Sequence, residues 1–252
     1  MLNQLLNNFF VSGIIQGGFM RSLERTLGYG RGLMLLEGMW MTIRISLGAV
    51  FLGLIIGSII VTFKLSKFWP LKAIAFVYLG VIRGTPSVTQ ILLVNAIIFA
   101  GIRGAGMWVG IVALGINSGA YVAEIIRAGI QSIDKGQREA GLSIGFTPFQ
   151  TMRYIIMPQA VKNIIPTFVN EFIVLIKETA IVGFVAVADL TRVAQHMTTR
   201  TFDIMPILVS AVMYLVLISV LTALLSIFEK KLRASDKDAT KKPKRRAAFG
   251  KI

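Results

Sequence analysis

The chain alternates between apolar and polar on the scale of whole helices. Five stretches of mostly apolar residues, 37–63, 69–99, 106–126, 164–187 and 204–228, are separated by shorter polar segments. A hydrocarbon core about 30 Å thick is crossed by roughly 20 apolar residues in a helix, so each stretch predicts a membrane span. Within the bilayer every backbone polar group must be bonded internally, which makes the spans helical and the predicted fold all-α. The first stretch carries Gly48, Gly53 and Gly57, small residues that let neighbouring helices approach closely. Arg83, Gly84 and Pro86 interrupt the second, where a kink is expected because Pro86 donates no backbone hydrogen bond. The fourth contains Asn170, Glu171, Lys177 and Glu178; the fifth is almost free of charge.

Three further segments do not span. Residues 1–32 are apolar at first and then bring Arg21, Glu24, Arg25 and Arg31, a pattern for an amphipathic interfacial helix or for disorder. They lack Lys or Arg before Arg21 and a small-residue cleavage site, so they do not read as a signal peptide. Residues 127–162 are too charged to cross and read as two short helices joined at a tight break. Thr147 is the expected cap of the second, with Pro148 at its first position and Gln150 closing a capping box; Pro158 is expected to limit it. Residues 230–252 form a basic tail, expected to be disordered.

Charge gives the orientation. The formal net charge is +15, and ten of the 27 basic residues lie in the tail. Eighteen Lys and Arg fall on the side of the segments 64–72, 127–162 and the tail, against six on the other side. The basic-rich side is predicted cytoplasmic, which puts the amino terminus outside and the carboxyl terminus inside a multi-pass inner-membrane protein. The tail then faces anionic lipid headgroups, with no nucleic acid invoked. With a mean hydropathy of +0.72 and 252 residues largely taken up by the spans and short loops, no large soluble domain fits beside them. With no cysteine and one histidine, His196, the chain offers no metal site and no thiol nucleophile. No phosphate-binding loop occurs, so ATP has no site here.

The segment 127–162 carries a resemblance. Glu139-Ala140-Gly141, Gly145 four residues on, Ile155 ten further and Met157-Pro158 are similar to the cytoplasmic loop signature of ABC-importer permeases, with matching spacing. Gly141 and Met157 depart from the usual Ala and Leu. Flanking phrases, among them Arg83-Gly84-Thr85-Pro86, Tyr121-Val122-Ala123-Glu124-Ile125 and Leu175-Ile176-Lys177-Glu178-Thr179, resemble the branch that serves polar amino acids, over residues 38–229. The resemblance implies coupling helices that dock on a separate ATPase dimer through Glu139, Ala140, Gly141, Gly145 and Pro158. It also implies a second permease subunit, an external amino-acid-binding protein, and ATP with Mg held by the ATPase, no cofactor belonging to this chain. Read from residues alone, the same segment is equally a solvated loop helix whose small residues pack on the bundle.

Ionisable groups inside the bilayer mark candidate function. Glu171 and Glu178, seven apart, share a helical face, and Asn170 and Lys177 the adjacent one. With Arg83 and Thr85 at the kink they make a candidate substrate path with charges of both signs: the substrate carboxylate on Arg83 or Lys177, its ammonium on Glu171 or Glu178. The alternative is that Lys177 and a glutamate form a structural ion pair. Gln90, Asn95 and Asn117 either line the path or bond across helices, and Glu124 with Arg127 reads as an inter-helix pair. Rival functions are a stand-alone ion-coupled amino-acid carrier, which would need no docking loop, and an intramembrane enzyme, for which the chain lacks a nucleophile and base.

Overall fold

The computed structural model describes residues 18–28 and 30–240, the side chains of Phe228 and those beyond Glu229 excepted, and every regular element among them is helical. Helix α1 (Gly18–Leu27) leads into the long α2 (Arg31–Leu65). A three-residue turn and Pro70, placed in the first turn where its missing N–H is harmless, open α3 (Trp69–Gly84). Then follow α4 (Ser87–Ile97), α5 (Gly106–Gln131), α6 (Lys135–Ser143), α7 (Pro148–Thr151), a π turn (Met152–Ile156), α8 (Met157–Glu178), a 3₁₀ turn (Thr179–Val185), α9 (Leu190–Thr201) and α10 (Met205–Thr240).

The centre of the bundle is α2 against α5. Gly53 and Gly57 of α2 receive Ser118 and Val122, while Gly115 and Gly119 of α5 receive Leu52 and Ile56, so each helix offers holes to the other. A Cβ on Gly57 would stand 2.7 Å from Val122, and one on Gly115 2.8 Å from Leu52. Ile45, Ala49, Val109, Ala113 and Leu175 fill the main core, which brings α8 onto the pair. Ile60, Val61, Ala75, Leu79, Ala120 and Ala123 fix α3. Leu35, Leu190, Val193 and Met197 seat α9 against α2 and α10. Almost none of Met205–Ile227 is buried, and Val212, Leu215, Val216 and Val220 point outward, as lipid contact requires.

Several expectations change. Three helices, Arg31–Leu65, Gly106–Gln131 and Met205–Ile227, are long and apolar enough to cross a membrane, or four if α3 and α4 count as one span. The expected fourth span, 164–187, begins earlier and ends sooner, as α8. Lys162, Glu171, Lys177 and Glu178 make α8 too polar to pass by composition. Lys177 consequently stands in the last turn of α8, where the buried Thr179 hydroxyl donates to Ile176 O at 2.7 Å and the chain tightens into the 3₁₀ turn.

The expected kink at Pro86 is a full break, with α3 and α4 meeting at 111°. Thr85 is extended at φ −120°, ψ 148°, the region a following proline imposes. Pro158 does not end its helix. The π turn already opens the hydrogen-bond ladder, Met157 N bonding Met152 O, and Pro158 falls in the first turn of α8 where no N–H is needed. The outer loop folds into α9, capped by Asp189, whose carboxylate accepts from Thr191 N and Arg192 N. The last helix runs on to Thr240, through part of the segment expected to be a disordered tail, because Glu, Lys, Leu, Arg and Ala are good helix formers. Residues 1–17, 29 and 241–252, with the rest of the amino-terminal segment and tail readings, lie outside the described residues.

Candidate functional site

Two regions of the bundle concentrate the chemistry. The first is the hairpin of α6 and α7. Asp134 caps α6, accepting from Gly136 N at 2.7 Å. The helix ends in a Schellman motif: Phe146 N bonds Gly141 O, Gly145 N bonds Leu142 O, and Gly145 takes φ +92°, a left-handed value costly for other residues. Thr147 then starts α7, its hydroxyl accepting from Gln150 N while the Gln150 side chain accepts from Thr147 N, which is the capping box expected from sequence. Gly141 is buried, and a Cβ there would stand 2.8 Å from both Thr151 and Ile155. That contact gives a reason for glycine in place of the usual alanine.

Glu139 and Ala140 are exposed on this hairpin, as are Leu142, Ile144, Phe149 and Tyr154. Ile144 and Phe149 are each 71% exposed, an apolar surface that a solvated loop has no reason to present. Pro158 is also exposed, about three turns of chain away past the π turn.

The second region lies around the break between α3 and α4. A helix that stops at Gly84 leaves carbonyls without partners. Gln90, one turn into α4 and buried, supplies them: its Nε2 donates to Ile82 O at 2.7 Å, Thr85 O at 3.1 Å and Thr85 Oγ1 at 2.9 Å. Asn117 of α5 donates to Gln90 Oε1 at 2.9 Å, so the break is tied to the central helix. Gln90 and Asn117 thus bond across helices, one of the two readings their sequence allowed.

Arg83 stands at this break over the Tyr121 ring, its guanidinium carbon 5.9 Å from the centroid. The carboxylate it meets is Glu124. Among the described residues it meets neither Glu171 nor Glu178. Glu171 is half-buried and accepts from Ser118 Oγ at 3.1 Å. Asn163, Thr167, Asn170 and Lys177 form one exposed polar face of α8, and among the described residues Lys177 makes no ion pair with either glutamate. A cavity of about 540 Å³ between α5 and α8 is lined by Tyr121, Glu124, Asn163, Thr167, Asn170 and Glu171, among others. Of the residues singled out from sequence, this cavity gathers Asn170 and Glu171; Arg83 lies against Tyr121 of its lining, Thr85 stands at the break with Gln90, and Lys177 and Glu178 lie further along α8. Glu124 pairs with Arg127, as their spacing in the sequence predicts, and its added contacts with Lys64 and Arg83 carry no local signal.

Outside the spans, Asp203 in the turn before α10 accepts from the Ser22 hydroxyl of α1 and from Met205 N. Burial would raise its pKa, but these bonds and the nearby Arg25 charge outweigh it and hold the carboxyl below its ordinary value.

The chain has relatives of known family and fold. The family model described as binding-protein-dependent transport system inner membrane component matches residues 49–234. The arginine transport system permease protein ArtQ of Bacillus subtilis is 40% identical over 205 residues, 80% of this chain and 94% of that protein. The glutamine transport system permease protein GlnP of Escherichia coli is 36% identical over 204 residues, 79% of this chain and 93% of that protein. A solved structure described as an amino acid ABC transporter with histidines superposes with a TM-score of 0.75 at 44% identity, covering 79% of this chain and 94% of that one. The inward-facing MetNI methionine ABC transporter shares the fold, with a TM-score of 0.69 at 18% identity over 79% of this chain and 96% of that one.

Proposed function

The chain belongs to the family of binding-protein-dependent transport system inner membrane components, and from that premise we infer that it is a permease subunit of an ATP-binding-cassette importer for polar amino acids. It is a transport component and not an enzyme; the ATPase is a separate subunit. The observation that carries the coupling role is the hairpin of α6 and α7. Its turn is fixed by a Schellman motif and a capping box, and it holds Glu139 and Ala140 beside exposed apolar side chains, as a rigid element that docks on another protein must.

In this reading Glu139, Ala140, Gly141, Gly145 and Pro158, the last just past the π turn, transmit motion from an ATPase dimer that binds ATP and Mg. A second permease subunit, identical or related, completes the path, and an external binding protein delivers the substrate. The bundle crosses the inner membrane with α8 as a fifth crossing lining the path, the amino terminus outside and the carboxyl terminus inside. Its polar face suits a water-filled path, since charges at membrane depth are tolerated toward an interior. Arg83, Thr85, Asn170, Glu171, Lys177 and Glu178 line that path. The substrate carboxylate goes to Arg83 or Lys177, its ammonium to Glu171 or Glu178. Alternating access follows as ATP closes the partner dimer and the hairpins move with it.

The test is uptake by proteoliposomes containing the chain with its copurified ATPase, supplied with binding protein and L-arginine, L-glutamine or other polar amino acids. ATP-dependent uptake that is lost in Glu139→Ala supports the assignment. Uptake by the chain alone under an ion gradient, without ATP, refutes it in favour of a carrier.

A further inference from the structure

Three cations converge on one carboxylate where α2, α3 and α5 meet. Arg127, one turn along α5, holds Glu124 Oε2 at 2.8 Å through two guanidinium nitrogens, and Lys64 at the end of α2 donates to Oε1. Arg83 stands off at 3.9 Å from the same Oε1, with a side chain 48% exposed. The charge of Glu124 is therefore already neutralised by two close partners. Arg83, at the broken end of α3, keeps charge that another carboxylate can claim.

Glu124 also lines two cavities. One is the 540 Å³ cavity with Tyr121, Asn170 and Glu171; the other, about 590 Å³, is walled by Lys64, Lys72, Phe76 and Arg83. Gly80 and Gly84 floor the second, and a Cβ on either would meet open space. The cavity leaves the guanidinium of Arg83 room to move away from Glu124.

We propose that Glu124 is a positioning residue for transport, the exchangeable counter-ion that holds Arg83 against Tyr121 while the path is empty and yields it to the carboxylate of the incoming amino acid. The proposal rests on the reading that Arg83 receives the substrate carboxylate, and adds to it that Glu124 competes for the same cation. Lys64 and Arg127 set the strength of that competition, because they occupy Glu124 and keep the Arg83 contact loose.

The experiment is equilibrium binding of the radiolabelled amino acid found in the uptake panel to the permease–ATPase complex in nanodiscs, without binding protein. Glu124→Gln removes the competitor and is expected to tighten Kd roughly two- to fivefold, the scale of a partly exposed ion pair, while slowing uptake. Lys64→Gln and Arg127→Gln leave Glu124 to Arg83 and are expected to weaken binding by a similar factor. Glu124→Asp keeps the charge and should restore Kd toward the parent value. A merely structural role for Glu124 would weaken binding in every variant alike. Glu124→Gln that binds no tighter than the parent, while Arg83→Gln binds more weakly, overturns the exchange and leaves the assignment of Arg83 standing. Unchanged affinity in Arg83→Gln overturns both.

Discussion

Replacing Gln90 with Leu removes the amide that closes the break between α3 and α4 while keeping a side chain of similar volume. Gln90 is 8% exposed and Asn117 is buried beside it, whereas Thr85 stands exposed and can bond solvent. The change leaves Ile82 O and Thr85 O without the donor they now share, and Asn117 Nδ2 without its acceptor. A buried polar group left unsatisfied costs about 1–3 kcal/mol, so two such groups, Ile82 O and Asn117 Nδ2, at the low end of that range predict a loss of about 2 kcal/mol. Asn117→Leu removes a single bond and should cost about 1 kcal/mol by the same reasoning. In the double variant the orphaned Asn117 amide is gone, so the combined loss should fall short of the sum, as for residues in one network. The assay is reversible unfolding in mixed detergent micelles, followed by helical circular dichroism, for the parent, both single variants and the double. Amino-acid binding should weaken in Gln90→Leu, since Arg83 and Thr85 are placed by the break. A loss under about 1 kcal/mol in Gln90→Leu, or strict additivity in the double variant, would refute this account of the break.

Other consequences are as direct. Gly145→Val forces a β-branched residue to φ +92°, at a cost of roughly 1–2 kcal/mol; copurification with the ATPase and coupled hydrolysis should both fall, and Gly145→Asn should retain more of each. Gly57→Leu drives a side chain into Val122 between α2 and α5, where a single Cβ already approaches 2.7 Å, and should lower the yield of folded protein as measured by size-exclusion profile. The Asp203 carboxyl titrates below its unfolded value, so its contribution to seating α1 is complete above about pH 4 and is lost as the pH falls through the lowered value. Proteolysis near Arg21 and Arg25 should therefore rise under acid, and Asp203→Asn should abolish that pH dependence.

Much of the fold was legible because it is local. The length of an apolar run decides whether a helix can cross a bilayer, and the runs 37–63, 106–126 and 204–228 mark the helices Arg31–Leu65, Gly106–Gln131 and Met205–Ile227, though not all of their ends. The hairpin was legible for the same reason: a Schellman glycine, a capping threonine and Gln150 act within six residues of one another. Pro86 marked where the chain must turn, since it lacks a donor and constrains its neighbour.

Tertiary structure decided what local rules leave free. A proline fixes the place of a break but not its angle; at 111°, α4 lies where Gln90 meets Asn117 of α5, a contact between distant parts of the chain. Pro158 looks like a helix stop until the π turn ahead of it removes the need for its N–H. The partner of Arg83 could have been any of several carboxylates by sequence, and packing of α3 against α2 and α5 selected Glu124 while leaving Glu171 to Ser118. Helical period and capping are properties of residues within a turn or two, whereas a charge pairs with whichever opposite charge the bundle brings within about 4 Å, and only the assembled helices determine which that is.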